Sequence, residues 1–172
     1  NGSLTCCTLV VNSGRILNIG ANTNVTVTGD ITVNGNLNVL NNGSLVQIDD
    51  TAINTGNISY ERIVSIRKND YVYWSSPISV FNVNGISPLT NTSYIFKWNP
   101  TIGNANGGFG SWVSANGETM VLGKGYIVKG PENFTNTTQN FTATFNNGTP
   151  NNGIITIPIS RGSYTGTNYN GT

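Results

Sequence analysis

The chain carries seven acidic residues, Asp30, Asp49, Asp50, Glu61, Asp70, Glu118 and Glu132, and no histidine. Acid–base work would therefore fall to carboxylates or lysines. Hydrolysis of a glycosidic bond needs two carboxylates flanking that bond at a set separation. No pair here sits in a motif that would set one. Asp49 and Asp50 are adjacent and read as a solvated turn. The ion such a pair would take is calcium, which binds carboxylate and carbonyl oxygens, but the glycine-spaced acidic pattern of a dedicated calcium loop is missing. Ser75 and Ser76 lack a histidine to activate them, and pairing with Lys97 or Lys124 has no motif behind it. Gly123-Lys124-Gly125 is too short for a phosphate-binding loop and reads as a tight turn. The expectation is a chain with no catalytic site and no bound cofactor.

The aromatic residues offer a different chemistry. Trp74, Trp98 and Trp112, with Tyr73, Tyr94 and Tyr126, are candidates for stacking on sugar rings. An aromatic ring joins a broad apolar face to a polar edge. Filling a core is the competing use and the expected one. Tyr71-Val72-Tyr73-Trp74 alternates, so one side of that strand would face solvent. An exposed tryptophan there would mark a binding surface.

The elements that must position these residues follow from composition. Charged residues make up 9% of the 172, against ~25% in an ordinary soluble domain. Polarity comes from Asn, Thr, Ser and Gly, which favour turns and strands. The net charge is +1, and the only adjacent basic pair is Arg67-Lys68, so nucleic acid is not an expected partner. Cys6 and Cys7 would point to opposite faces of a strand and read as small, mostly buried strand residues. No stretch reaches the ~20 apolar residues of a membrane helix. The chain opens at Asn1 without a signal peptide and reads as a piece of a longer polypeptide.

Residues 1–56 repeat. Apolar runs at Leu9-Val10-Val11, Ile16 to Ile19 and Val25 to Thr28 are echoed by Ile31-Thr32-Val33, Leu37 to Leu40 and Leu45 to Ile48. The shift is about 20 residues, as in stacked repeat units. It sets Leu17 on Leu37, Ile19 on Val39 and Val25 on Leu45. Three short strands per unit predict a short β-solenoid of parallel β-helix-like coils, with a hairpin meander as the alternative. From residue 57 the rhythm changes. Strands are expected over Ile58 to Ile66, Tyr71 to Trp74, Ser93 to Trp98, Gly110 to Val113, Gly125 to Lys129, Phe141 to Phe145 and Ile154 to Ile159. About seven strands with aromatic punctuation predict an antiparallel β-sandwich or jelly-roll-like module over 57–172. No segment has helical periodicity, so the fold class is all-β with almost no helix.

Tyr73-Trp74-Ser75-Ser76-Pro77 resembles a motif of large secreted and cell-surface proteins of the Bacteroidetes, of flavobacterial type. Tyr94 to Pro100, Gly117 to Met120, Gly123 to Val128 and Asn42 to Asp50 fit the same pattern, and together they cover roughly residues 9–165. The resemblance implies a β-solenoid leading into a β-rich module, with a type IX secretion sorting domain closing the chain beyond Thr172. It implies a secreted or outer-surface location and contact with the secretion machinery through that domain. Asp50-Thr51-Ala52 is similar to the O-glycosylation motif of such proteins, which makes Thr51 a candidate. The Asn-X-Ser/Thr triplets at Asn24, Asn57, Asn91, Asn133, Asn136 and Asn140 arise readily in so Asn- and Thr-rich a chain.

The expected function is a non-catalytic structural or adhesive module of a larger bacterial surface protein. Its partners would be surface glycans or other cell-surface proteins. The alternative is a carbohydrate-binding or accessory region of a secreted polysaccharide-degrading protein. Binding through Trp74, Trp98, Trp112 and Tyr73 would favour that alternative.

Overall fold

The structure, a computed structural model, describes residues 2–103, 109–160 and 162. Fourteen strands and two short 3-10 segments occur among them. The chain is nearly all β, arranged in several open sheets.

The first nine strands are β1 (Leu4–Cys6), β2 (Leu9–Val11), β3 (Ile16–Ile19), β4 (Asn24–Val27), β5 (Ile31–Val33), β6 (Asn36–Val39), β7 (Ser44–Gln47), β8 (Asn54–Thr55) and β9 (Ile58–Ile66). They form three parallel ladders, β1-β4-β7, β2-β5-β8 and β3-β6-β9. Leu17 pairs with Leu37, Ile19 with Val39 and Val25 with Leu45, the register that the echo in the sequence predicts. The inward side chains therefore stack in columns. Val27, Ile31, Leu37 and Val39 are at most 1% exposed, each burial stabilising by about 1.5–3 kcal/mol. Corners recur with the strands. Asn22 and Asn42 both adopt left-handed backbone, at φ 60° and 62°, which asparagine tolerates better than most residues. The Asn22 amide donates to the Asn42 carbonyl at 3.0 Å.

The parallel stack ends in polar and aromatic groups. Gln47 follows Val27 in its column and Asn54 follows Ile31. Their amides exchange two hydrogen bonds, at 2.9 and 2.8 Å. Tyr60 follows Val39, and the Arg62 guanidinium lies 4.4 Å from its ring centroid. Gly56 makes the corner into β9 at φ +81°, where a Cβ would come within 1.9 Å of the Val33 carbonyl oxygen. Only glycine fits there.

Five strands complete the set: β10 (Tyr71–Trp74), β11 (Ile95–Gly103), β12 (Phe109–Ser114), β13 (Tyr126–Lys129) and β14 (Gln139–Gly148). β14 lies antiparallel on the free edge of β9, so β9 has a parallel neighbour on one side and an antiparallel one on the other. The other four form an antiparallel sheet in the order β10-β13-β11-β12. Trp74 joins that sheet to β14, its ring 6.1 Å from Phe141 and 6.0 Å from Phe145. Phe81 packs on Phe145 at 4.8 Å. Lys97 is paired with both oxygens of Glu118, at 2.5 and 2.6 Å.

Three local expectations change. Cys6 ends β1 only half-buried and Cys7 lies in the bend after it, exposed, so the two are not buried strand residues. Residues 92–94 form a 3-10 turn rather than the start of a strand, because the Asn91 side chain accepts the Ser93 amide at 3.0 Å. Such local bonds compete with strand pairing. Residues 154–159 are not a strand. They carry strong β propensity, but propensity supplies no neighbouring edge. Ile154 is 85% exposed and Ile159 99%. Ile155 and Ile157 lean on Gly123, where a Cβ would meet Ile157 Cδ1 at 2.3 Å. No helix among the described residues is long and apolar enough to cross a membrane.

Candidate binding face

The sheet β10-β13-β11-β12 has one inner and one outer face. Register assigns the outer one. Tyr73 pairs with Ile127, Ile127 with Phe96, and Phe96 with Ser114. Directly paired residues share a face, and alternate residues follow them. Tyr71, Trp98, Trp112 and Lys129 therefore lie on this side as well.

Tyr73, Trp98 and Trp112 form one cluster. Tyr73 is 73% exposed, and the two tryptophans are 41% and 40% exposed. The Tyr73 and Trp112 ring centroids are 6.3 Å apart at 54°. Trp98 and Trp112 meet edge to face at 5.2 Å and 72°. Ile127, between Tyr73 and Phe96, is buried although it is on the outer side. Gly110 has φ +76°, and a Cβ there would come within 2.2 Å of Trp98 Cζ2. The missing side chain lets the indole lie against the backbone of β12. Tyr71 and Phe96, 6.3 Å apart, extend the apolar surface. Burial pushes the Tyr71 hydroxyl above its ordinary pKa, with Tyr94 adding to the effect, so it is neutral near neutral pH. No acidic residue occupies an outward position on these strands. Lys129 stands over the Tyr94 ring at 4.0 Å, a cation–π contact.

The other sequence candidates fall elsewhere. Trp74 faces inward and is 8% exposed. Its Nε1 finds no hydrogen-bond partner among the described residues. Tyr126 is fully buried, its hydroxyl accepting the Val121 amide at 2.9 Å. Asp50 and Thr51 are exposed and Ala52 half-buried. The Thr51 amide and hydroxyl both donate to Asp49 Oδ1, at 2.8 and 2.7 Å. These two bonds hold the Asp49 carboxyl below its ordinary pKa. No group of three His, Cys, Asp or Glu placed to hold a metal occurs among the described residues. Ser76 is buried and its hydroxyl donates to the Ile78 carbonyl at 2.7 Å. A cavity of about 310 Å³ lies at the end of the parallel stack, lined by Ile31, Leu45, Tyr60, Pro77, Leu122 and Ile155 among others, with no charged side chain. Of the Asn-X-Ser/Thr asparagines, Asn24 is half-buried and the rest are exposed.

Phe96, Ile127 and Gly110 were not among the sequence candidates. The alternation Phe96-Lys97-Trp98 was the available signal for the first. Nothing local marks Ile127, whose neighbours come from two other strands.

A family described as a domain of unknown function, DUF8693, matches residues 2–172. The chain belongs to that family. The description of DUF8693 names no activity, so a functional reading has to come from the geometry of the face. No curated protein and no solved structure matches the chain.

Proposed function

We propose that this chain is a non-catalytic adhesive module that presents a glycan-binding face at the end of a β-solenoid stalk. One observation carries the reading: Tyr73, Trp98 and Trp112 stand together, in ring contact and open to solvent, on one side of a sheet. Exposed aromatics on this scale are uncommon unless something covers them. Sugar rings stack on such faces while their hydroxyls stay hydrated. Trp74 takes no part in the contact.

The parallel ladders β1 to β9 support the solenoid reading, since each inward residue rests on its counterpart one unit earlier. The packing of Trp74 between β10 and β14 supports a sandwich-like arrangement for the remainder. The resemblance to Bacteroidetes surface proteins supports secretion by a type IX-like route and an outer-surface location. In that setting Thr51 is the proposed site of O-glycosylation, exposed beside a turn.

A glycan array probed with the purified chain tests the reading. The expected result is retention on a restricted set of glycans that is lost in Tyr73→Ala and Trp112→Ala. Retention that both variants leave intact would place the contact elsewhere and overturn it.

A further inference from the structure

We infer that the face selects single, uncharged polysaccharide chains that turn from one sugar to the next, in preference to flat ribbons packed in a crystal. This inference rests on the reading of the face as a glycan site. The argument begins with the angle between the two rings. Tyr73 and Trp112 are 6.3 Å apart, close enough to serve neighbouring sugars, but their planes are inclined at 54°. A flat, two-fold ribbon keeps the faces of its sugars parallel, so it lies flush on one ring and misses the other. A crystal surface makes the same demand over a larger area. A chain that rotates at each linkage presents successive faces at an angle and can meet both rings.

Trp98 has a different role. Its edge-to-face contact with Trp112 at 5.2 Å leaves no room for a sugar between them. It is therefore a positioning residue that fixes the plane of Trp112, and it is itself seated by the bare backbone of Gly110. The charge pattern points to a neutral ligand. The outward positions hold no carboxylate, and their cation, Lys129, is engaged over Tyr94.

The test compares five probes with the whole chain: soluble amylose, a soluble β-1,3-glucan, a soluble polyuronate, microcrystalline cellulose and crystalline chitin. Affinity electrophoresis reads the soluble probes and pull-down reads the solids. At least one soluble glucan is expected to retard the chain, while neither solid depletes it. Tyr73→Ala and Trp112→Ala are each expected to weaken retardation by about three- to tenfold, the scale of one lost aromatic stack. Gly110→Ala, which forces a Cβ into the Trp98 ring at a left-handed position, should weaken it as well and lower the melting temperature, so Tyr73→Ala is the variant that separates binding from folding. Tyr73 is mostly exposed, so its variant reports on binding without a folding defect. Stronger depletion by cellulose or chitin than retardation by either soluble glucan overturns the inference but leaves the glycan face standing. A preference for a polyuronate over both neutral glucans overturns the neutral-ligand part. No binding to any glycan, on the array or here, sinks the glycan reading as a whole.

Discussion

Tyr73 and Trp74 are sequence neighbours that share no environment: the first is 73% exposed on the outer face of its sheet, and the second is 8% exposed against Phe141 and Phe145. Alternation along β10 separates them. Trp74→Ala is expected to cost about 3–5 kcal/mol of stability, as for large buried aromatics. Tyr73→Ala is expected to stay within about 0.5 kcal/mol, as for exposed positions. Thermal or urea unfolding of the two variants checks the contrast. Trp74→Phe should be the milder core change, since it keeps a ring and removes a buried Nε1 that lacks a partner.

The parallel ladders yield a second contrast. Leu37 sits between Leu17 and Ile58 and is 1% exposed. Leu37→Ala is expected to cost about 2–5 kcal/mol. Asn38, its neighbour, points outward and donates to Asn18 Oδ1 at 2.8 Å. Asn38→Ala should cost no more than about 1 kcal/mol, the ordinary net worth of such a bond. Equal losses at the two positions would contradict the assigned faces.

Much of this was legible in the sequence because the repeat preserves spacing as well as hydrophobicity. An echo that sets Leu17 on Leu37 also fixes which side each residue faces. Other features have no local signature. Alternation separates Tyr73 from Trp74, but only the position of β14 decides which of them is covered. Residues 154–159 look like a strand because β-branched side chains favour extended backbone, while pairing depends on whether an edge is available. The start of β11 moves because Asn91 bonds to its own neighbourhood, a choice that hydrophobic pattern does not encode.

Acid sensitivity should have an identifiable source. Asp70 is held below its ordinary carboxyl pKa of 3.8, first by its hydrogen bond with the Arg67 side chain. The two are joined at 2.8 and 3.0 Å. A carboxyl whose pKa is lower folded than unfolded adds stability that is complete above the unfolded value. That contribution falls away as pH drops from about 3.8 through the folded value. Asp49, lowered by Thr51, acts with the same sign. Asp70→Asn is therefore expected to flatten the acid limb of a stability-versus-pH curve below pH 4 and leave its shape near neutrality unchanged. Both groups are exposed, so the change should be small and should shrink further in salt.

Limited proteolysis should find the unpaired extended segment first. Residues 154–160 make no backbone hydrogen bonds with the described residues, and backbone of this kind is readily nicked. A protease that cuts before large aliphatic residues should cleave between Asn152 and Ser160 well before it enters β9 or β14. Mass spectrometry of the first fragments reads the outcome. An initial cut inside the parallel ladders would show that the order of local stability runs the other way.

The double membership of β9 has a mechanical consequence. One continuous strand hydrogen-bonds to β6 on one edge and to β14 on the other, so the parallel stack and β14, the strand against which Trp74 packs, are joined without a swivel. A tug along β14 would be felt as shear across a whole row of bonds to β9, which must yield together, rather than as the peeling of a single turn. Torque on β14 follows the same route, so that strand keeps its heading relative to the column beside it when the surroundings move.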